Sequence, residues 1–329
     1  MATYKQIQGT AVQNSAGELT GAVEGQLWYN TSNGDFQFNA GALVLAWATT
    51  TPINTGRYGL SGTGSSTTNA LVFGGNNPVP LRPPEYIGLT ETWNGSAWTE
   101  VSDLSTARQY GASAGTSNTA ALMFGGNDAS PDRAAETESW NGSTWTEVSD
   151  LNTARELLGG TGAPSSALAM GGNGPAVPGT GAQTESWNGS TWTEVNDLNT
   201  ARYGLAGAGT DNTAALAFAS DNSVAPGVIN ESWNGTCFSE VNDLNTARAY
   251  PGGTGSATAA LCIGSHNTGA ETESWNGTCW SEVNDLNTAR GLAGTGGPNT
   301  SAIIAGGSGW STASEEWSYS GGTQTITTS

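Results

Sequence analysis

Basic and metal-binding side chains are scarce in this chain. Its 329 residues include one lysine, eight arginines, one histidine and three cysteines, and the net charge is −19. Because nucleic acids and anionic membranes are bound through basic surfaces, the composition argues against both as partners. A single histidine and the lack of a Cys-x-x-Cys pair predict no metal site, and no motif indicates a cofactor.

Long apolar stretches are missing too. No run of about 18 apolar residues occurs, so the sequence predicts no transmembrane helix. Residues 1–7 have no apolar core of the kind found in a secretion signal, and no cleaved signal is expected. The hydrophobic fraction is 36% and there are 48 glycines. This composition is poor for helices and favours many short strands joined by tight turns.

One motif recurs five times along the chain. It begins with Trp-Asn-Gly, continues with Ser or Thr, one further residue and Trp or Phe, and ends, after a short acidic run, with Thr-Ala-Arg. The closing arginines, together with Arg57 of a weaker sixth copy, are spaced by 51, 47, 47, 46 and 42 residues. A period in the forties with glycine and tryptophan at fixed offsets is typical of β-propellers. The five copies span residues 93–108, 140–155, 187–202, 233–248 and 275–290.

The residues between two such arginines predict one four-stranded blade. Small side chains suit an innermost strand, an apolar run suits a second strand buried on both faces, and polar–apolar alternation suits a half-exposed third strand. An Asn-Gly pair, in which both residues tolerate a positive φ, indicates a hairpin to the outer strand. In the second repeat these four segments are residues 109–115, 120–124, 136–140 and 145–148.

Six arginines that each open an inner strand predict six blades. The last unit lacks a clear final tryptophan, whereas residues 42–47 have the character of an outer strand without a blade of its own. We therefore expect this N-terminal strand to close the ring by pairing into blade six, which also removes open sheet edges. Residues 323–328 could compete for that position, which leaves open a seventh blade or a five-stranded blade.

The repeat resembles the Kelch repeat over residues 42–329. Like Kelch blades, it has a Gly-Gly after the second strand, an aromatic residue about five positions before a tryptophan, and an arginine at the blade junction. Two copies depart from the pattern, with Ala219-Ser220 and Gly264-Ser265 in place of Gly-Gly. The aromatic residue is Trp here and commonly Tyr in Kelch repeats. The resemblance implies an all-β, six-bladed Kelch-like β-propeller.

Residues 1–41 lie outside the repeat and predict a β-hairpin arm with an Asn-Gly turn. Residues 7–13 and 24–38 are similar to segments of fibre and appendage proteins of tailed phages. A Trp-Asn-Gly-rich array behind such a segment is similar to virion proteins of marine cyanobacterial phages. The resemblance implies that residues 1–41 form an attachment or assembly arm, and that residues 42–329 form a propeller closed by an N-terminal strand.

The repeated arginines are the first candidate site. Junctions between blades and loops between second and third strands lie on the same face, so these arginines are expected to form a ring there. The ring could grip carboxylate or sulfate groups of a glycan. Alternatively, each arginine pairs with a junction carboxylate, such as an aspartate five residues earlier (Asp103, Asp150, Asp197, Asp243 or Asp285), and repetition favours such a structural role. The ring comprises Arg57, Arg108, Arg155, Arg202, Arg248 and Arg290.

Loops between the second and third strands are the second candidate site, because they differ strongly in length on a regular scaffold. Arg82 and Arg133, the two arginines outside the repeat, lie in these loops. Tyr86 and Trp310 could add a surface on which sugars stack. The alternative interpretation is a loop surface that has drifted without function.

The expected function is that of a non-enzymatic structural component of a phage virion, in a tail, fibre or head appendage, with host-surface or glycan recognition by the propeller face. Expected partners are other virion proteins, through residues 1–41, and a host-surface glycan or protein. The resemblance also implies a homo-oligomer. An enzyme is not expected, since a Kelch-type copper oxidase needs two histidine ligands where this chain has His266, and no Gly-x-Ser-x-Gly elbow has a matched histidine. The alternative is a free bacterial lectin-like or protein-interaction scaffold propeller.

Overall fold

The computed structural model describes residues 13–15, 27–32, 34–39, 44–77, 85–128, 133–174, 180–221, 227–266, 269–320 and 323–326. This part of the chain is almost entirely β-structure, with one short 3-10 helix at Thr180–Ala182. Within it, no helix is long and apolar enough to span a membrane. The chain divides into two compact units. One is built from residues up to Leu45 and from Tyr319 onward, and the other is Ala46–Ser318.

Six four-stranded antiparallel sheets form a six-bladed β-propeller, as predicted. A central cavity is lined by the first strand of every blade. From the axis outward, the strands of blades 1 to 3 are Ser61–Ser66, Asn69–Phe73, Thr90–Trp93 and Trp98–Val101; Ala112–Ser117, Ala120–Gly126, Ala134–Trp140 and Trp145–Val148; and Gly159–Ala163, Ser166–Met170, Thr184–Trp187 and Trp192–Val195. Those of blades 4 to 6 are Ala206–Asp211, Ala214–Phe218, Asn230–Trp233 and Phe238–Glu240; Gly252–Ser256, Ala259–Ser265, Gly269–Trp275 and Trp280–Glu282; and Gly294–Gly296, Ala302–Ala305, Ser314–Ser320 and Val44–Thr50.

The repeated aromatic residues pack both within and between blades. In blade 2 the rings of Trp140 and Trp145 lie 5.4 Å apart, and Trp145 also meets Phe73 of blade 1 edge-on at 4.8 Å. The Trp145 indole N–H donates to Thr90 Oγ1 of blade 1 at 3.0 Å. The outer tryptophan therefore ties its blade to the preceding one, and burial of these large rings stabilises the contact between neighbouring sheets.

The strand Val44–Thr50 supplies the fourth strand of blade six. Trp47 takes the part of the outer tryptophan there. Its ring lies 5.3 Å from that of Trp317, and its indole N–H donates to Thr272 Oγ1 of blade 5 at 3.0 Å. The N-terminal strand thus repeats the contacts that the outer strand makes in blade 2.

The hairpins to the outer strands are longer than the Asn-Gly motif suggests. Trp140 pairs directly with Trp145, so the loop contains four residues and not two. Asn141 Oδ1 accepts the backbone N–H groups of Ser143 and Thr144, both at 2.9 Å, and only Gly142 of the pair has a positive φ, of 93°. The asparagine side chain thus closes the turn, and the glycine supplies its positive φ.

The smaller unit is a four-stranded sheet. Leu27–Asn30 and Asp35–Asn39 form the predicted hairpin, and Gln13–Ser15 pairs parallel to its first strand. The C-terminal strand Thr323–Ile326 pairs antiparallel with Asp35–Asn39. The tail therefore does not compete for the fourth position of blade six, and it belongs to the unit that the sequence boundary at residue 41 had assigned to the N-terminal arm alone. Asn33 of the predicted turn lies outside the described residues.

Replacing Trp47 by Ala tests the closure of the ring. The substitution removes a buried indole that joins the N-terminal strand to blades 5 and 6, so the free energy of unfolding should fall by about 3–5 kcal/mol. Urea denaturation followed by circular dichroism gives this value. Trp310→Ala, at an exposed side chain, is the control and should change stability by less than about 1 kcal/mol. Equal effects from the two variants would contradict closure through Trp47.

Candidate functional site

Every blade buries an arginine against a glutamate. In blade 3, Arg155 Nη2 lies 3.1 Å from Glu185 Oε1. The same carboxylate accepts the backbone N–H groups of Asn152 and Thr153 and the side-chain amide of Asn152. A buried carboxylate needs several donors to offset its lost hydration, and Glu185 takes them from Arg155 and from the junction loop before it. The glutamate therefore fixes the conformation of this loop. The six pairs are Arg57–Glu91, Arg108–Glu138, Arg155–Glu185, Arg202–Glu231, Arg248–Glu273 and Arg290–Glu315.

The backbone of each arginine contacts the preceding blade. The Arg155 carbonyl accepts the Gly126 N–H at 2.9 Å, although the Arg155 side chain lies in the next blade. Gly125 has a φ of 62°, and a Cβ there would lie 2.6 Å from the Arg155 carbonyl oxygen. Glycine alone tolerates such an approach at a positive φ without strain, which explains the Gly-Gly of the repeat. Gly307 N–H donates to the Arg57 carbonyl at 2.9 Å, so the same contact joins blade six to blade one.

Each arginine pairs with a carboxylate, as the structural alternative predicted, but the aspartates named as examples are not the partners. Asp150 instead accepts the backbone N–H of Thr137 at 3.2 Å, at the third strand of its own blade. Each such aspartate thus bonds to the blade before the junction, whereas each glutamate pairs with the arginine that opens the blade after it. The equivalent bonds join Asp103, Asp197, Asp243 and Asp285 to the N–H groups of Thr90, Thr184, Asn230 and Thr272.

The ring of arginines is therefore internal. The six side chains are 0–2% exposed. Burial lowers the guanidinium pKa of Arg155 and the neighbouring Glu185 raises it, and arginine stays charged because its ordinary pKa is far above neutrality. A glycan carboxylate or sulfate would have to displace a buried glutamate to reach these groups. The geometry favours the structural role over the gripping of a ligand.

A closed ring of backbone hydrogen bonds encircles one end of the axis. The residue two positions after each arginine has φ between 54° and 68°, and its N–H donates to the carbonyl of its counterpart in the preceding blade at 2.8–3.1 Å. Gly59 donates to Leu292 and completes the circle. Non-glycine residues in this conformation cost about 1 kcal/mol or more each, so the ring holds strained backbone in place. Its members, here called the axial ring, are Gly59, Tyr110, Leu157, Gly204, Tyr250 and Leu292.

The side chains of the axial ring follow a Gly–Tyr–Leu order twice. A Cβ on Gly59 would lie 2.8 Å from Tyr110 Cε1, and one on Gly204 would lie 2.8 Å from Tyr250 Cε1. Each tyrosine ring therefore lies across the glycine of the preceding blade. We call this end of the axis the mouth. Its two halves have the same backbone arrangement, and each half contributes one tyrosine, Tyr110 or Tyr250. A cavity of about 440 Å³ opens here and is lined by both tyrosines, both leucines, Asp221, Ala249 and His266.

Three side chains from successive loops lie over the next blade. Ile53, Leu104 and Leu151 donate their N–H groups to the carbonyls of Thr312, Gly88 and Ala135, and Trp310, Tyr86 and Arg133 are the residues two positions before these acceptors. The three predicted site residues that the structure describes outside the arginine ring therefore occupy one equivalent position, in blades 6, 1 and 2. Loops of unequal length conceal this equivalence in the sequence.

Each of these three residues meets the residue that follows the junction arginine of the next blade. The ring of Trp310 lies 5.7 Å from that of Tyr58, and Arg133 Nε lies 3.1 Å from Glu156 Oε1. Burial raises the pKa of the Tyr86 phenol, while a hydrogen bond from Gln109 lowers it. We call Trp310, Tyr58, Tyr86, Gln109, Arg133 and Glu156 the mouth strip.

Two buried amide side chains, Asn76 beside the strip and Gln109 within it, have unused hydrogen-bonding capacity. Asn76 is 1% exposed and Gln109 is 7% exposed, and among the described residues neither Asn76 Nδ2 nor Gln109 Oε1 has a hydrogen-bond partner. Asn76 Oδ1 accepts only a long bond, of 3.4 Å, from the Trp310 indole. One free donor and one free acceptor thus lie beside the aromatic side chains.

The opposite half of the mouth carries a different set of side chains. Tyr250 donates its hydroxyl to Asp221, and its ring meets that of His266 edge-on at 5.5 Å. Burial and the bond to Asp221 raise the pKa of the Tyr250 phenol, and burial and Tyr58 likewise raise that of Tyr110.

Sequence reasoning missed Tyr58, Gln109, Tyr110 and Glu156. Their fixed offsets of one or two residues from the arginines were the available signal.

Arg82 lies outside the described residues. Across the described ranges, no group of three or more His, Cys, Asp or Glu side chains could hold a metal ion, and the three cysteines are free. No protein-family model matches the sequence, and no curated protein sequence matches it.

Replacing Arg155 by Ala tests the structural role of the arginine ring. It leaves Glu185 buried without its counter-charge, so the free energy of unfolding should fall by about 3–5 kcal/mol. Arg133→Ala is the matched control, because its ion pair with Glu156 is 25% and 13% exposed and should contribute about 0–1 kcal/mol. Chemical denaturation compares the two. A stable Arg155→Ala protein that has lost ligand binding would instead assign the ring to recognition.

Proposed function

We propose that the protein is a non-enzymatic structural component of a phage virion, carried in a tail, fibre or head appendage, and that its propeller recognises a host-surface glycan. One observation carries the recognition half of the proposal. The blades repeat their side chains where these hold the fold, at the arginine, the glutamate and the tryptophans, and they differ around the mouth. A binding site is asymmetric, whereas a structural contact recurs in every blade.

The chemistry of the mouth strip supports a glycan as the ligand. Tyrosine and tryptophan combine a large apolar face with a polar group, which suits the apolar face and hydroxyl rim of a sugar ring. Asn76 and Gln109 add amide groups, and the axial ring fixes the backbone that carries Tyr110.

The virion half of the proposal rests on the resemblance of the repeat to Kelch arrays and of residues 1–41 to phage appendage segments. The separate four-stranded unit, which joins residues 27–39 with the C-terminal strand, supports it as an attachment module. Through this unit the protein would bind other virion proteins and would be located on the particle as a homo-oligomer.

Immunolabelling of purified particles from the source culture, viewed by electron microscopy, tests the proposal. Regular labelling at one location on the head, tail or fibre is expected. Protein confined to the soluble fraction would overturn the virion assignment and favour a free lectin-like or scaffold propeller.

Removal of residues 1–40 and 321–329 tests the attachment role. This variant keeps Val44–Thr50, so blade six should close and the melting temperature of the propeller should change by only a few degrees. Incorporation into particles, measured by complementation and immunoblotting of purified virions, should be lost. Normal incorporation of the truncated protein would contradict the proposal, and the full-length chain expressed in the same way is the control.

A further inference from the structure

Trp310 differs from every other tryptophan of the chain. All thirteen lie in the described residues. Twelve are buried, whereas Trp310 is 44% exposed and has a φ of 54°. The neighbouring backbone fixes it there, because Arg57 N–H donates to the Ser311 carbonyl and a Cβ on Gly56 would lie 2.3 Å from the Trp310 carbonyl oxygen. An exposed indole on strained, well-fixed backbone is typical of a contact surface for a ligand.

The strip that begins at Trp310 is confined to one half of the mouth. At the equivalent loop position, blades 6, 1 and 2 carry Trp310, Tyr86 and Arg133, whereas blade 3 carries Thr180, and the residues at this offset in blades 4 and 5 lie outside the described part of the chain. Tyr58 and Tyr203 occupy the same position after their arginines in blades 1 and 4, but only Tyr58 stands beside the exposed indole. This asymmetry directs a ligand to the half of the mouth that carries Trp310, Tyr86 and Arg133.

We propose that an uncharged oligosaccharide binds along the mouth strip, with sugar faces against Trp310 and Tyr86 and hydroxyls on Asn76 Nδ2 and Gln109 Oε1. This inference rests on the proposed glycan recognition and gives its ligand class and location. Both amide atoms are buried and have no partner among the described residues, so binding of the hydroxyls requires the Trp310 and Tyr86 side chains to move aside. A buried amide without a partner is costly, and a sugar hydroxyl that supplies the missing bond gains affinity.

Charge disfavours anionic glycans at the mouth strip. Six arginines are buried against glutamates, and Arg133, the remaining described one, is paired with Glu156. The chain has a net charge of −19, so a sulfated or carboxylated glycan would approach an acidic protein, and the described residues offer it no unpaired guanidinium. Stacking and hydrogen bonding are left to provide the affinity.

Binding of the full-length protein to an array of neutral, sulfated and carboxylated glycans, followed by calorimetry, tests the inference. A neutral oligosaccharide should bind with an affinity that is nearly unchanged between low and high salt. Trp310→Ala should weaken binding roughly tenfold, as expected for loss of one aromatic contact. Tyr58→Ala removes the ring that packs against Trp310 and should weaken binding as well. Tyr203→Ala, the matched control in blade 4, should leave the affinity unchanged.

Fluorescence quenching by acrylamide gives an independent readout. The quenchable fraction of the tryptophan emission should fall when the neutral glycan is added, and Trp310→Phe should remove that fraction without ligand. Binding that persists in Trp310→Ala but fails in Tyr203→Ala would overturn the location and leave glycan recognition standing. Preference for sulfated or carboxylated glycans would overturn the ligand class. Binding to no glycan, or to peptides instead, would overturn the recognition role together with this inference.

Discussion

A buried arginine that belongs to two blades at once holds the ring together. Its side chain neutralises a glutamate of the blade that it opens, and its carbonyl receives an N–H of the blade before. Taking two charges out of water costs several kcal/mol per ion, and the pair stabilises only where further hydrogen bonds satisfy the carboxylate. Those bonds come from the junction loop itself. A blade that slips against its neighbour therefore breaks the bond to the arginine carbonyl and leaves buried backbone groups without partners, so neighbouring blades are coupled more strongly than apolar packing alone would couple them.

The same junction positions the candidate site. Because Arg57 and Arg108 are fixed on both sides, the residues that follow them emerge at a defined place on the mouth, and the axial ring locks the next peptide groups into a circle. Side chains such as Tyr58 and Tyr110 can therefore vary without disturbing the scaffold. Preorganised aromatic side chains lose little entropy on binding a ligand, which favours recognition by a surface of this kind.

Repeat arithmetic predicted six blades, their strand order and the closing N-terminal strand. The carboxylate partner was mistaken because the aspartates and the glutamates recur with equal regularity. Strand periodicity held the missing signal. Glu138 lies two residues before Trp140 on the third strand, so the two side chains share a face, and a buried tryptophan implies a buried glutamate. The pairing of Thr323–Ile326 with Asp35–Asn39, and the equivalence of Trp310, Tyr86 and Arg133, depend on contacts between distant segments that no spacing in the sequence encodes.

Among the described residues, positive charge is used in ion pairs within the protein. Six arginines are buried in the junctions and Arg133 is paired with Glu156, while 28 acidic residues dominate the composition. An excess of acidic groups repels anions. The proposed recognition of an uncharged ligand accordingly depends on stacking and hydrogen bonds, which salt screens weakly, and not on the steering of charged ligands. The arginines that hold the blades together leave no unpaired guanidinium among the described residues of the mouth, and this division of roles supports the proposed class of ligand.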